Sequence, residues 1–192
     1  MGFARARARK ERKAISKGEQ KAQRAIRASR QNVRGAYAYQ MRYDKATRTE
    51  AIRNLSACFM LAMNEGYGFG HDRLMLLHDK MQDMLDCITG KYVTVEEIAG
   101  YLRDDIGMDI GLAAKDPRAT HQRQIELKAV KEMSAAFLMA LLDGFGFKAK
   151  RLGDAYTCVA DLSDRVNRQE ITYDDIHKRL EKIMRKKGRK TA

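Results

Sequence analysis

Apolar residues recur every three or four positions along two stretches of this 192-residue chain, and the two stretches are copies of one another. Ile52, Leu55, Phe59 and Met63 step along one helix face, and Val130, Met133, Phe137 and Leu141 repeat the pattern 78 positions later. A second helix follows in each copy, with Leu74, Leu77, Met81, Met84 and Ile88 matched by Leu152, Ala155, Val159, Leu162 and Val166. A third opens after Val93-Thr94 or Ile171-Thr172. There Thr94-x-x-Glu97 is a capping box and Thr172-x-x-Asp175 a shorter relative, each with an acidic first turn that suits the helix dipole. Ile98 and Leu102, like Ile176 and Leu180, lie one turn apart and face the other helices. The predicted unit is three helices, present twice.

Residues 51–106 align with 129–184 without a gap, and 15 of the 56 pairs are identical. Chemistry found in only one copy is therefore not a property of the unit. Gly66 and Gly144 fall where the first helix would end in a left-handed cap, with Tyr67 or Phe145 folding back on the last turn. Arg73 and Arg151, eight residues after Glu65 and Asp143, are placed to close a salt bridge across that turn. Gly107, Gly111 and Pro117 interrupt helicity between the copies. The expected architecture is all-α: two tandem pseudo-symmetric three-helix units preceded by a basic helical arm. Its parts are an arm at 1–47, a first repeat at 48–110, a linker at 111–122, a second repeat at 123–184 and a basic tail at 185–192.

Charge changes this picture at both ends. The net charge is +13, of which residues 1–50 hold +11 and the tail +5, leaving about −3 for the duplicated body and its linker. In the arm, Ile15, Ala22, Ile26, Val33 and Tyr37 form only a thin apolar stripe, with Gly18 and Gly35 as weak points, and the first dozen residues are expected to be mobile without a partner. Lysine and arginine neutralise phosphates and release counterions, so Arg5, Arg7, Arg9, Lys10, Arg12 and Lys13 point to nucleic acid, DNA or RNA, held by its backbone. Arg24, Arg27, Arg30 and Arg34 continue at helical spacing, Arg42 follows, and Arg185, Lys186, Lys187, Arg189 and Lys190 add a cationic tail. Tyr37, Tyr39 and Tyr43 lie among these charges and are candidates for stacking on unpaired bases.

Other chemistries fare less well against the duplication. His71, His78, Asp79 and Asp83 would tempt a metal assignment, but the second copy carries Ala149, Tyr156, Thr157 and Asp161 there, so no metal site is expected. Asp83 with Asp86, and Asp161 with Asp164, read as solvated helix faces, and no Ser/His/Asp or Cys/His grouping recurs in both copies. No catalysis and no cofactor is expected. The turns around Gly66-Tyr67-Gly68 and Gly144-Phe145-Gly146 lack the preceding strand and the Gly-Lys-Ser/Thr ending of a phosphate loop. Residues 95–107 resemble the start of a helix-turn-helix, but Gly111 and Pro117 fall where its recognition helix would run. Cys58, Cys87 and Cys158 have no cysteine at their counterparts and read as free thiols. With no apolar run of about 18 residues and no secretory pattern, a cytoplasmic protein without a membrane span is expected.

The strings Gly66-Tyr67-Gly68-Phe69-Gly70-His71-Asp72-Arg73-Leu74 and Gly90-Lys91-Tyr92-Val93-Thr94-Val95-Glu96-Glu97-Ile98 carry one resemblance. With Gly107-Met108-Asp109-Ile110 and the basic arm before them, they resemble uncharacterised small helical proteins of phages and prophages of Gram-positive bacteria. The likeness covers about a third of the chain, and the second copy departs from it after Arg151-Leu152. It implies a phage-encoded protein in a bacterial cytoplasm and names no activity. Two functions stay open: a non-enzymatic nucleic-acid-binding accessory protein, or a protein-interaction module whose acidic helical body docks a partner.

Overall fold

The computed structural model describes the backbone of residues 2–110 and 118–185, and the side chains of residues 24, 25, 27–110 and 118–185. Among the described residues there are six helices and no strand: α1 Gly2–Tyr67, α2 His71–Thr89, α3 Val95–Asp104, α4 His121–Phe145, α5 Ala149–Asn167 and α6 Tyr173–Arg185. Among the described residues no helix is long and apolar enough to cross a membrane. The chain divides into two units, Met1–Ala46 and Thr47–Ala192. In the first, the helical backbone continues through Gly18 and Gly35, and the described side chains are exposed, Asp44 alone being half-buried. The second holds the remainder of α1 and the other five helices.

Local chemistry ends each of these helices. Thr94 Oγ1 accepts from the Glu97 amide at 3.2 Å while the Thr94 amide donates to Glu97 Oε2 at 2.7 Å, completing the predicted box. Thr172 and Asp175 repeat it, both bonds at 3.2 Å. The left-handed caps of α1 and α4 fall two residues later than expected. Gly66 and Gly144 are still helical, and Gly68 (φ +64) and Gly146 (φ +63) make the turn, their amides donating to Asn64 O and Leu142 O. Tyr67 and Phe145 remain helical, and their rings pack on Phe147 and Phe69. After α2 and α5 the same role falls to Lys91 (φ 60) and Gln169 (φ 59), and the following amides reach back to Cys87 O and Arg165 O.

Residues from all six helices share one hydrophobic core. Helix α4 runs through it, with every residue from Glu132 to Leu138 buried, and it packs against α2, α3 and α5. Phe59 of α1 and Phe137 of α4 stack with ring centroids 4.5 Å apart and planes 14° from parallel. The first helix of each aligned segment meets the second helix of the other. Tyr67 Oη donates to Arg151 O at 3.1 Å, and a Cβ on Gly66 would lie 2.9 Å from Cys158 Sγ, while Gly144 faces Lys80 of α2. Val130, predicted to be buried, is 38% exposed, because the inward line of α4 runs through Ala129 and Met133 instead.

Candidate nucleic-acid interface

Helix α1 brings the predicted arm residues into register. At roughly 100° per residue, Arg24, Arg27, Arg30, Arg34 and Arg42 fall within about 120° of the helix circumference. All five are exposed. The arrangement follows from spacings of three, four and eight, which return to one face of an α-helix, and it yields a cationic stripe able to track a phosphate backbone. The tyrosines do not share that stripe. Tyr37 aligns with Val33 and Met41 at steps of four and borders the basic face at Arg30, whereas Tyr39 and Tyr43 lie together on its other side. Tyr37 and Tyr39 are 68% and 71% exposed and Tyr43 41%, so each ring is accessible, but one strand following the arginines would meet Tyr37 and the other two from opposite edges.

The side chains of Arg5, Arg7, Arg9, Lys10, Arg12 and Lys13 lie outside the described residues, as do Lys186, Lys187, Arg189 and Lys190. Arg185, at the end of α6, is exposed and pairs with Glu181 one turn back.

The other candidates lie on the body, in contacts of different kinds. Arg73 and Arg151 do not bridge to Glu65 and Asp143. Their guanidinium groups sit over the Phe69 and Phe147 rings, 5.6 and 3.8 Å from the centroids, because the late caps turn those rings under them. Glu65 instead receives Arg179 at 3.2 Å and Arg165 at 3.5 Å from α6 and α5. His71 and His78 each lie beside the next aspartate, at 3.0 and 3.5 Å, as two separate pairs. Burial pushes the Cys58 thiol up to about 11, away from thiolate chemistry. After α3 the chain turns at Gly107 (φ +76) and buries Met108 and Ile110, so the residues following it anchor the core where a recognition helix would begin.

Two features had no local signal. Glu132 is a buried carboxylate, 5% exposed, held by Arg48 at 2.8 Å with Lys128 at 3.9 Å, and Arg48 also reaches Thr89. Glu132 stands where the first copy has Asn54, and only that mismatch hints at a special role. Asn54 in turn contacts His177 Nε2 at 3.0 Å, and burial followed by the Arg53 charge holds the His177 imidazole below its ordinary value. Comparison with protein-family models, with curated proteins and with solved structures returned no match.

Proposed function

We propose that the protein is a non-enzymatic, phage-encoded accessory protein that binds nucleic acid in the bacterial cytoplasm, gripping phosphates with its basic arm. The observation that carries this reading is the exposed stripe of Arg24, Arg27, Arg30, Arg34 and Arg42 on one face of α1. A helix so charged repels its own kind and is attracted to a polyanion without reading sequence. The basic tail from Arg185 onward extends the same electrostatics.

The duplicated body is read as two pseudo-symmetric three-helix units acting as a platform. In support, α2 and α5 begin 78 positions apart, as do α3 and α6, and the contacts Tyr67–Phe147 and Phe69–Phe145 are each other's counterparts under that shift. A second reading, a protein-interaction module, draws support from exposed apolar groups on the body: Tyr92 is 86% exposed, Leu76 and Tyr101 43%.

Fluorescence anisotropy with labelled duplex and single-stranded oligonucleotides at 50 and 200 mM salt, both chosen at about the scale where counterion release is visible, tests the first reading. Binding should fall steeply with salt. Replacing Arg24, Arg27, Arg30 and Arg34 by Gln should lower affinity at least about tenfold and reduce the duplex salt slope by up to roughly 3.6. Salt-insensitive binding, no binding, or binding indifferent to these substitutions overturns it.

A further inference from the structure

A groove of about 400 Å³ opens on the body where α1, α2 and α6 meet over α4. Its floor is apolar and rich in methionine: Met60, Met81, Met133 and Leu180. Arg53, His78, Gln82 and His177 stand around it, joined by the hydroxyls of Thr49 and Ser56. None of the lining residues is acidic, although the body as a whole carries about −3. A cavity of this size with an apolar base and a few convergent polar groups is the usual form of a small-ligand site, and methionine floors adapt to flexible chains.

The duplication sharpens the point. At the positions 78 removed, Arg53, His78, Gln82 and His177 become Lys131, Tyr156, Ala160 and Ala99. The two histidines and Gln82 thus stand on one face of the body only, while a cation is kept at the counterpart of Arg53 as Lys131. We propose that this groove binds a small organic anion with an apolar body, of the class of medium-chain carboxylates. The alkyl chain lies along the half-buried Ile52 and Met60, above Met81, Met133 and Leu180, and the carboxylate meets the Arg53 guanidinium at the rim, beside His177, a charge-assisted contact that fixes its direction.

The test is methyl NMR on the full chain with labelled methionines, titrated with decanoate and with decyltrimethylammonium. Decanoate should shift the Met60, Met81 and Met133 methyls along one saturable curve, with a Kd on the order of 10⁻⁴ M for a ligand of about a dozen heavy atoms. The matched cation should bind at least about tenfold more weakly. R53Q/H177Q should weaken decanoate by a similar factor, and Q82W, on the exposed rim, should displace it by filling the opening. Should R53Q/H177Q lose its methyl dispersion through unfolding, Q82W alone decides. The quadruple Arg-to-Gln arm variant should bind decanoate as the parent does, so failure here and failure of nucleic-acid binding are separate outcomes. Shifts that centre on Met41 of the arm, equal binding of the cation, or indifference to the groove substitutions would overturn the assignment.

Discussion

Val33, Tyr37 and Met41 follow the same four-residue step along α1 as Leu55, Phe59 and Met63, yet the two triplets end in opposite environments. The first is 67, 68 and 53% exposed; in the second Phe59 and Met63 are 2% and 0% exposed. Periodicity creates an apolar face and says nothing about whether another helix will cover it. In the body, α4 and its neighbours supply that cover, and burial of aromatic and aliphatic area holds the fold. In the arm, arginines flank a stripe too thin to bury, and charge decides what can approach.

The sharpest way to break this contrast is to delete one ring from each side. Phe59→Ala removes half of the stacked pair with Phe137 from a filled core and should cost about 3–5 kcal/mol of unfolding free energy, read by urea denaturation. Tyr37→Ala should stay within about 0.5 kcal/mol, as exposed substitutions do. A comparable loss at Tyr37 would mean that the arm belongs to the cooperative unit.

Charge inside the body should matter differently from charge on the arm. Arg48→Met leaves Glu132, whose side chain is 7% exposed, with Lys128 at 3.9 Å as its remaining cation among the described residues. The expected loss is about 2 kcal/mol, less than for a wholly buried pair because Arg48 is 34% exposed. The double variant with Glu132→Met should recover most of it, whereas arm Arg-to-Gln changes should leave the urea midpoint in place.

Two glycines at equivalent positions give a finer test. Gly66→Ala drives a methyl to 2.9 Å from Cys158 Sγ and should destabilise by about 1–2 kcal/mol, relieved when Cys158 is also made Ala. Gly144→Ala meets only Lys80 Cγ at 3.5 Å, so helix propensity should win and stability rise by about 0.5 kcal/mol. Equal effects at both sites would refute the asymmetry.

The smallest expected effect is with pH. Folding holds His177 below its ordinary value of 6.5, so the folded state favours the neutral ring, and its contribution is complete above that value and lost as pH falls beneath it. Bonds from Thr94 and Thr172 hold Glu97 and Asp175 below their ordinary 4.5 and 3.8, so their contribution fades as pH falls further through the carboxylate range. Thermal melts between pH 8 and 3 should decline in these two stages. H177Q should flatten the upper one, and T94A/T172A the lower.

What the sequence made legible was local. The Thr94 and Thr172 caps depend on residues three apart, and the faces of α2 and α5 on steps of three and four, so both could be read before any coordinates. Glycines at 66, 68 and 70 are locally equivalent candidates for the left-handed turn, and it is tertiary packing that selects Gly68. Partners distant in sequence left no trace: Arg165 and Arg179 reach Glu65 across 100 and 114 residues, and Arg48 reaches Glu132 across 84. The lateral placement of the arginine stripe was readable, and the split of the tyrosines between its two edges follows from the same helical step. The groove was not readable, since its lining is drawn from four helices.

Because α2 rests on α4, the order of synthesis has a consequence for the nascent chain. Leu74, Leu77 and Met81 leave the ribosome well before Phe145 completes the helix that shelters them. At about 5–20 residues per second the stretch from Met81 to Phe145 takes roughly three to thirteen seconds, during which these side chains lack the cover of α4. Any chaperone that attends this protein has its window there, and a mutation that slows translation between residues 90 and 145 would lengthen it.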